Sequence, residues 1–161
     1  MTTQLRCLIL ALSLLPGAAL AAGGADANTP AGPVFPKDPV LERVSAATAR
    51  QDWTGAQAIL KDALQGSPDN ADYHNMYAYT IRKGPNPDMS LVFQHYNKAL
   101  AIDPKHLGAH EYLGEAYLQV GNLAKAKEEL AAIDKLCFFS CDEYTLLKKA
   151  VADFETKQAA R

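Results

Sequence analysis

The chain has no long apolar run. What it has near its start, Leu8 to Leu15, is too short to cross a bilayer as a stable helix. Sustained alternation of apolar and polar residues is also missing, which removes β-strands from the reading. Charge of one sign does not dominate: 16 Lys and Arg stand against 18 Asp and Glu, a net charge of -2. With no basic patch carrying interleaved aromatics, nucleic acid is not expected as a partner. There is no Gly-rich phosphate loop, no Gly-x-Ser-x-Gly elbow and no His-Glu-x-x-His. The chain is therefore read as a non-enzyme without a cofactor. Histidine is confined to His74, His95, His106 and His110, tryptophan to Trp53, and cysteine to Cys7, Cys137 and Cys141.

What is present begins with a secretory pattern. Arg6 places positive charge ahead of the apolar run, Pro16-Gly17 ends it, and Ala19-Leu20-Ala21 has the small-x-small spacing of a cleavage site. Residues 1–21 are expected to be a signal peptide cleaved after Ala21, with Ala25-Asp26-Ala27 as a second site. Cys7 precedes both, so no lipid anchor and no stable membrane attachment are expected. The mature protein is expected to be secreted or periplasmic. Residues 22–36, rich in Gly and Pro without an apolar period, read as a flexible linker.

Helical periodicity fills the rest. A hydrophobic content of 48% is enough for a packed core. Asp38-Pro39 has the chemistry of an N-cap followed by a first-turn proline, and Val40, Leu41, Val44 and Ala47 follow at helical spacing. Further helices are predicted at about 54–65, 70–83, 88–102, 107–120, 123–136 and 142–157. Gly66-Ser67-Pro68, the segment Gly84 to Asp88, Asp103-Pro104 and Gly121-Asn122 punctuate them. Ser140 and Glu143 have capping-box spacing, which would fix the start of the last helix after Cys141.

The helices recur as a unit. His110 to Tyr117, then Gly121-Asn122, Ala126 and Leu130, form one helix-turn-helix copy. Upstream, Ala99-Leu100 to Pro104 and Ala63-Leu64 to Pro68 repeat its closing part. A period near 34 residues indicates stacked helical hairpins. The pattern resembles the tetratricopeptide repeat family, on Leu113, Gly114, Tyr117, Gly121, Ala126 and Leu130 in one copy, Tyr77, Ala78, Tyr96, Ala99 and Pro104 in another, and Ala56, Leu60, Ala63 and Pro68 in the first. The first copy carries Val44 where a small residue is expected, and Val92 departs likewise. The resemblance implies an all-α, right-handed stack of about three hairpins (37–70, 71–106 and 107–138), closed by a capping helix at 141–158. The whole domain is then 37–158.

It also implies a noncatalytic scaffold of the cell envelope that binds a protein or peptide on the concave face. Asn75, Tyr79, Arg82 and Lys83 of the second repeat, with Glu111, Glu115 and Gln119 of the third, would line that face. The amide and the two cations suit a carboxylate or peptide backbone, and the glutamates suit a basic group. The remaining tyrosines read as core. Cys137 and Cys141 leave three readings open: a structural disulfide suited to an oxidising compartment, a soft-metal site for copper completed by His106, and a redox pair at a helix start. His110, where the repeat prefers tryptophan, is expected to be buried.

Overall fold

The computed structural model describes residues 37–160, and polar capping residues divide them into seven α-helices with no strand among them. The expected signal peptide and linker lie outside the described residues. The helices are α1 Pro39–Ala49, α2 Trp53–Gly66, α3 Ala71–Lys83, α4 Met89–Ile102, α5 Leu107–Gln119, α6 Leu123–Leu136 and α7 Asp142–Ala159. Asp38 accepts from the backbone N–H groups of Val40 and Leu41, and Asp88 from those of Ser90 and Leu91. Asp52, Asn70, His106 and Asn122 each accept from the N–H three residues on. Each such bond satisfies a donor that the first helical turn leaves free, and stabilises by about 1 kcal/mol.

The seventh helix begins where the sequence placed it but is capped differently. Its N-cap is Cys141, whose side chain makes no capping bond, and Glu143 stands in its first turn. The Ser140–Glu143 box is not formed. Ser140 lies one residue outside the cap, so its hydroxyl is too far back to serve as the partner that the box requires.

Helices α1–α2, α3–α4 and α5–α6 pack as hairpins, and each second helix also meets the first helix of the next pair. Helix α7 lies against both α5 and α6, the place that the first helix of a fourth hairpin would take. Three clusters make the core, one per junction. Val44, Ala47, Ala56, Leu60 and Tyr73 fill the first, and Ala78, Ile81, Val92, Tyr96, Leu113 and Ala116 the second. Leu118, Ala126, Ile133, Leu147 and Val151 fill the third. Small residues set the closest approaches. A Cβ on Gly114 would stand 2.6 Å from a Leu147 methyl, so glycine is what lets α7 seat against α5.

The turns repeat with the helices. Gly121, at φ 82°, precedes the cap Asn122; Gln51, at φ 59°, precedes the cap Asp52. The first hairpin thus makes the same left-handed turn without glycine, at some strain.

Candidate functional site

The face built by the first helices of successive hairpins carries the residues singled out in the sequence. The structure brings Arg82 and Glu115 together. The Arg82 Nη2 donates to Glu115 Oε2 at 2.6 Å, and its Nε donates to the Tyr96 hydroxyl at 3.3 Å. The Arg82 side chain is only 6% exposed and that of Glu115 30%, so the guanidinium is engaged within the protein rather than presented. It also lies over the rings of Tyr79 and Tyr112, at 5.8 and 5.9 Å from their centroids. Lys83 is exposed, with its ammonium 5.9 Å from the Tyr79 centroid. Gln119 is exposed at the end of α5.

Tyr112, which the sequence reading left to the core, and Trp53, to which it gave no role, belong to this surface beside Tyr79. Tyr79 and Tyr112 pack at 4.9 Å between centroids, and Trp53 meets Tyr79 edge-on at 6.3 Å. All three are partly exposed, so they form a strip from the start of α2 across α3 to α5. The available signal was position: Tyr112 follows Glu111, already assigned to the face, and Trp53 opens its helix beside the turn.

Glu111 is 5% exposed. Burial, reinforced by the neighbouring charges of Glu115 and Glu143, pushes its carboxyl up to about 7. Arg82 acts the other way, and Asp142 adds to the rise. The Tyr112 phenol is pushed up to about 12, first by burial and then by Glu111.

Asn75 sits one repeat before Glu111. It is 5% exposed, and its Oδ1 is buried without a hydrogen-bond partner. The buried Nε2 of His106 also lacks one. His106 Nδ1 accepts the Ala109 N–H at 3.2 Å, so Nε2 carries the proton of the neutral ring. That nitrogen lies 3.1 Å from Asp72 Oδ1, close enough to attract but off the direction a hydrogen bond needs. The two side chains flank Gly108 through other atoms: a Cβ there would stand 3.5 Å from Asn75 Nδ2 and 3.5 Å from His106 Cε1.

The other histidines hold successive repeats together. His74 Nε2 pairs with the carbonyl of Pro68 at 2.9 Å, and His110 Nε2 with that of Pro104 at 3.1 Å. The remaining nitrogens meet His95 at 2.8 Å and Glu129 at 2.7 Å, respectively. The hydrogen bond to Glu129 raises the His110 pKa, while burial and His74 lower that of His95. The expected burial of His110 is partial: its side chain is 12% exposed.

Cys137 and Cys141 lie at disulfide distance, with their Cα atoms 6.1 Å apart. Between them Phe138 and Phe139 are 91% and 90% exposed. Among the described residues no three His, Cys, Asp or Glu side chains gather as a metal ion would need, so His106 does not join the cysteines in such a group. Among the same residues no helix is long and apolar enough to cross a membrane.

Residues 92–136 match a family model described as Tetratricopeptide repeat, a span that runs from α4 through α6. No curated protein matches the chain.

Proposed function

We propose that this chain, whose residues 92–136 match the tetratricopeptide repeat family model, is a noncatalytic scaffold holding a protein segment along the face of α3 and α5. The family match supports protein interaction as the role. The observation that favours this face is the strip Trp53–Tyr79–Tyr112, which leaves aromatic surface partly open across neighbouring helices. Rigid aromatic side chains give large contact area for little ordering entropy, and Arg82 holds two of these rings from behind. Lys83, Glu115 and Gln119 then stand at the rim, where charge selects partners more than it adds affinity.

The scaffold is proposed to work in the cell envelope. The signal-like first 21 residues support export, as does a cysteine pair at disulfide distance. Intact mass of the protein recovered from cells checks this: a mass lacking residues 1–21 fits, and a retained leader does not.

The binding face is tested by selecting peptides from a displayed library on the immobilised chain. Tyr79→Ser with Tyr112→Ser should weaken the selected peptides at least tenfold while the helical melt persists. Unchanged affinity in the double variant would place binding elsewhere.

A further inference from the structure

Two repeats place a histidine at the same station and give it different partners. His74 and His110 are the fourth residues of α3 and α5. Each sets its Nε2 on the carbonyl of the proline six positions earlier, at 2.9 Å for Pro68 and 3.1 Å for Pro104. A carbonyl only accepts, so Nε2 carries a proton in both rings. The other nitrogen meets the seventh residue of the following helix, His95 in α4 and Glu129 in α6. An ionised carboxylate also only accepts, so the His110 ring is satisfied with a proton on both nitrogens, as the imidazolium. His74 Nδ1 instead faces His95 Nδ1 at 2.8 Å. One proton fits between two nitrogens at that spacing, and two do not. With His74 Nε2 already protonated, the neutral pair has one arrangement: His95 donates its Nδ1–H to the bare Nδ1 of His74. The surroundings sharpen the contrast. Burial and the His74 charge both oppose charge on His95, and no carboxylate among the described residues offsets them. Asp69, in the turn before α3, acts on His74 but is bonded to Lys98 of α4 at 2.9 Å. From α3, Tyr77 sets its ring edge-on to His95 at 4.7 Å. Around His110, Glu129 and Asp103, the cap that ends α4, favour charge, and burial opposes it.

We propose that the two stations form a differential acid switch: mild acid opens the His74–His95 clasp and loosens the second hairpin, while the His110–Glu129 clasp holds the third. The first proton that the His74–His95 pair takes up lands on His95 Nε2 and leaves the bond in place. The second must land on His74 Nδ1. Two N–H groups then oppose each other across a gap made for one, and the rings part. In the unfolded chain each imidazole protonates freely around its ordinary 6.5. The folded chain therefore binds fewer protons below that value. The stabilisation by this clasp is complete above 6.5 and is lost as pH falls. His110 has the opposite sign, because its partners raise its pKa. Its contribution is complete below 6.5 and is lost as pH rises through the folded value. Helix α3 also carries Tyr79 and Lys83, so its loosening reaches the face proposed to hold a peptide. The clasps themselves stand with or without a bound peptide.

Nitrogen NMR of the isotope-labelled full chain at pH 7.5 reads the tautomers directly. His95 should carry its proton on Nδ1, and His110 should be more protonated than His95. A proton on His95 Nε2 with a bare Nδ1 would overturn the clasp. Amide exchange, corrected for the intrinsic rate, then compares pH 7.5 with pH 5.5. Protection in α3 and α4 should fall at least threefold relative to that in α5 and α6. Glu111 also favours the folded state in acid, so variants assign the effect. His95→Gln offers His74 either a donor or an acceptor, and should abolish the relative loss in α3 and α4. His95→Glu recreates the His110 arrangement around His74, and should turn that loss into a gain. Glu129→Gln should leave the response of α3 and α4 as it is and reduce the acid gain of α6. An equal change in all helices, a loss that survives in His95→Gln, or a His95→Glu chain that still loosens in acid would overturn the switch.

Discussion

Glu111 shows how far a single residue can act against the fold that contains it. Its carboxyl titrates near 7 in the folded chain instead of the ordinary 4.5. The folded state therefore binds more protons than the unfolded state between those values, and stability falls as pH rises through that window. Below pH 4.5 the cost is absent, and above pH 7 it is complete. Glu111→Gln should raise stability at pH 8 by about 2 kcal/mol and change little at pH 4.5, measured by urea unfolding at both values. An equal gain at both would assign the effect to something other than ionisation. Arg82 is the contrasting case. It was legible as a face residue, but its pairing with Glu115, 33 positions away in the next repeat, was not. Spacing within one helix says nothing about which side chain of a neighbouring hairpin arrives opposite. The same limit hid the Tyr79–Tyr112 contact: Tyr79 was assigned to the face, but a tyrosine at helical spacing such as Tyr112 looks alike whether it faces a core or a groove.

Among the elements, capping chemistry made most helices readable. Asp38, Asn70 and Leu123–Leu136 stand where the sequence placed them, since short polar side chains at helix starts work through neighbours along the chain. Helix α7 begins at Asp142 as the sequence placed it, but the Ser140–Glu143 box expected there is absent, and the cap is Cys141 without a side-chain bond. Its seat on α5 depends on Gly114. Gly114→Ala should cost about 1–3 kcal/mol, since the new methyl meets the buried Leu147 side chain. Leu147→Ala alone should also destabilise, by leaving a cavity. The double variant should recover part of the loss, and strictly additive costs in chemical unfolding would remove the proposed contact. Cys137→Ser with Cys141→Ser should cost about 2 kcal/mol if the two are bridged. Amide exchange should then quicken in the first turn of α7 and leave α3 unchanged.

At the scale of the whole molecule, three junction clusters in a row make stability a sum of neighbour terms rather than one indivisible core. A lesion at one end should therefore stay near that end. In Leu147→Ala, hydrogen exchange should accelerate most in α7 and α6 and least in α1 and α2, and a uniform acceleration would show a single cooperative unit. The histidine links from His74 to Pro68 and from His110 to Pro104 are the polar counterpart of that arrangement, each tying one hairpin to the one before.

The position of α7 has a bearing on how such a chain can descend and enlarge. Its exposed side carries Lys148, Lys149, Asp153 and Glu155 beside the half-exposed Leu146, so a hairpin packed there would find little apolar surface. A further hairpin inserted between α4 and α5 would instead meet small and bulky faces that already match there. Each inserted copy would bring another position equivalent to Asn75 and Glu111, so reach along a bound chain would grow in fixed steps while both ends stayed as they are.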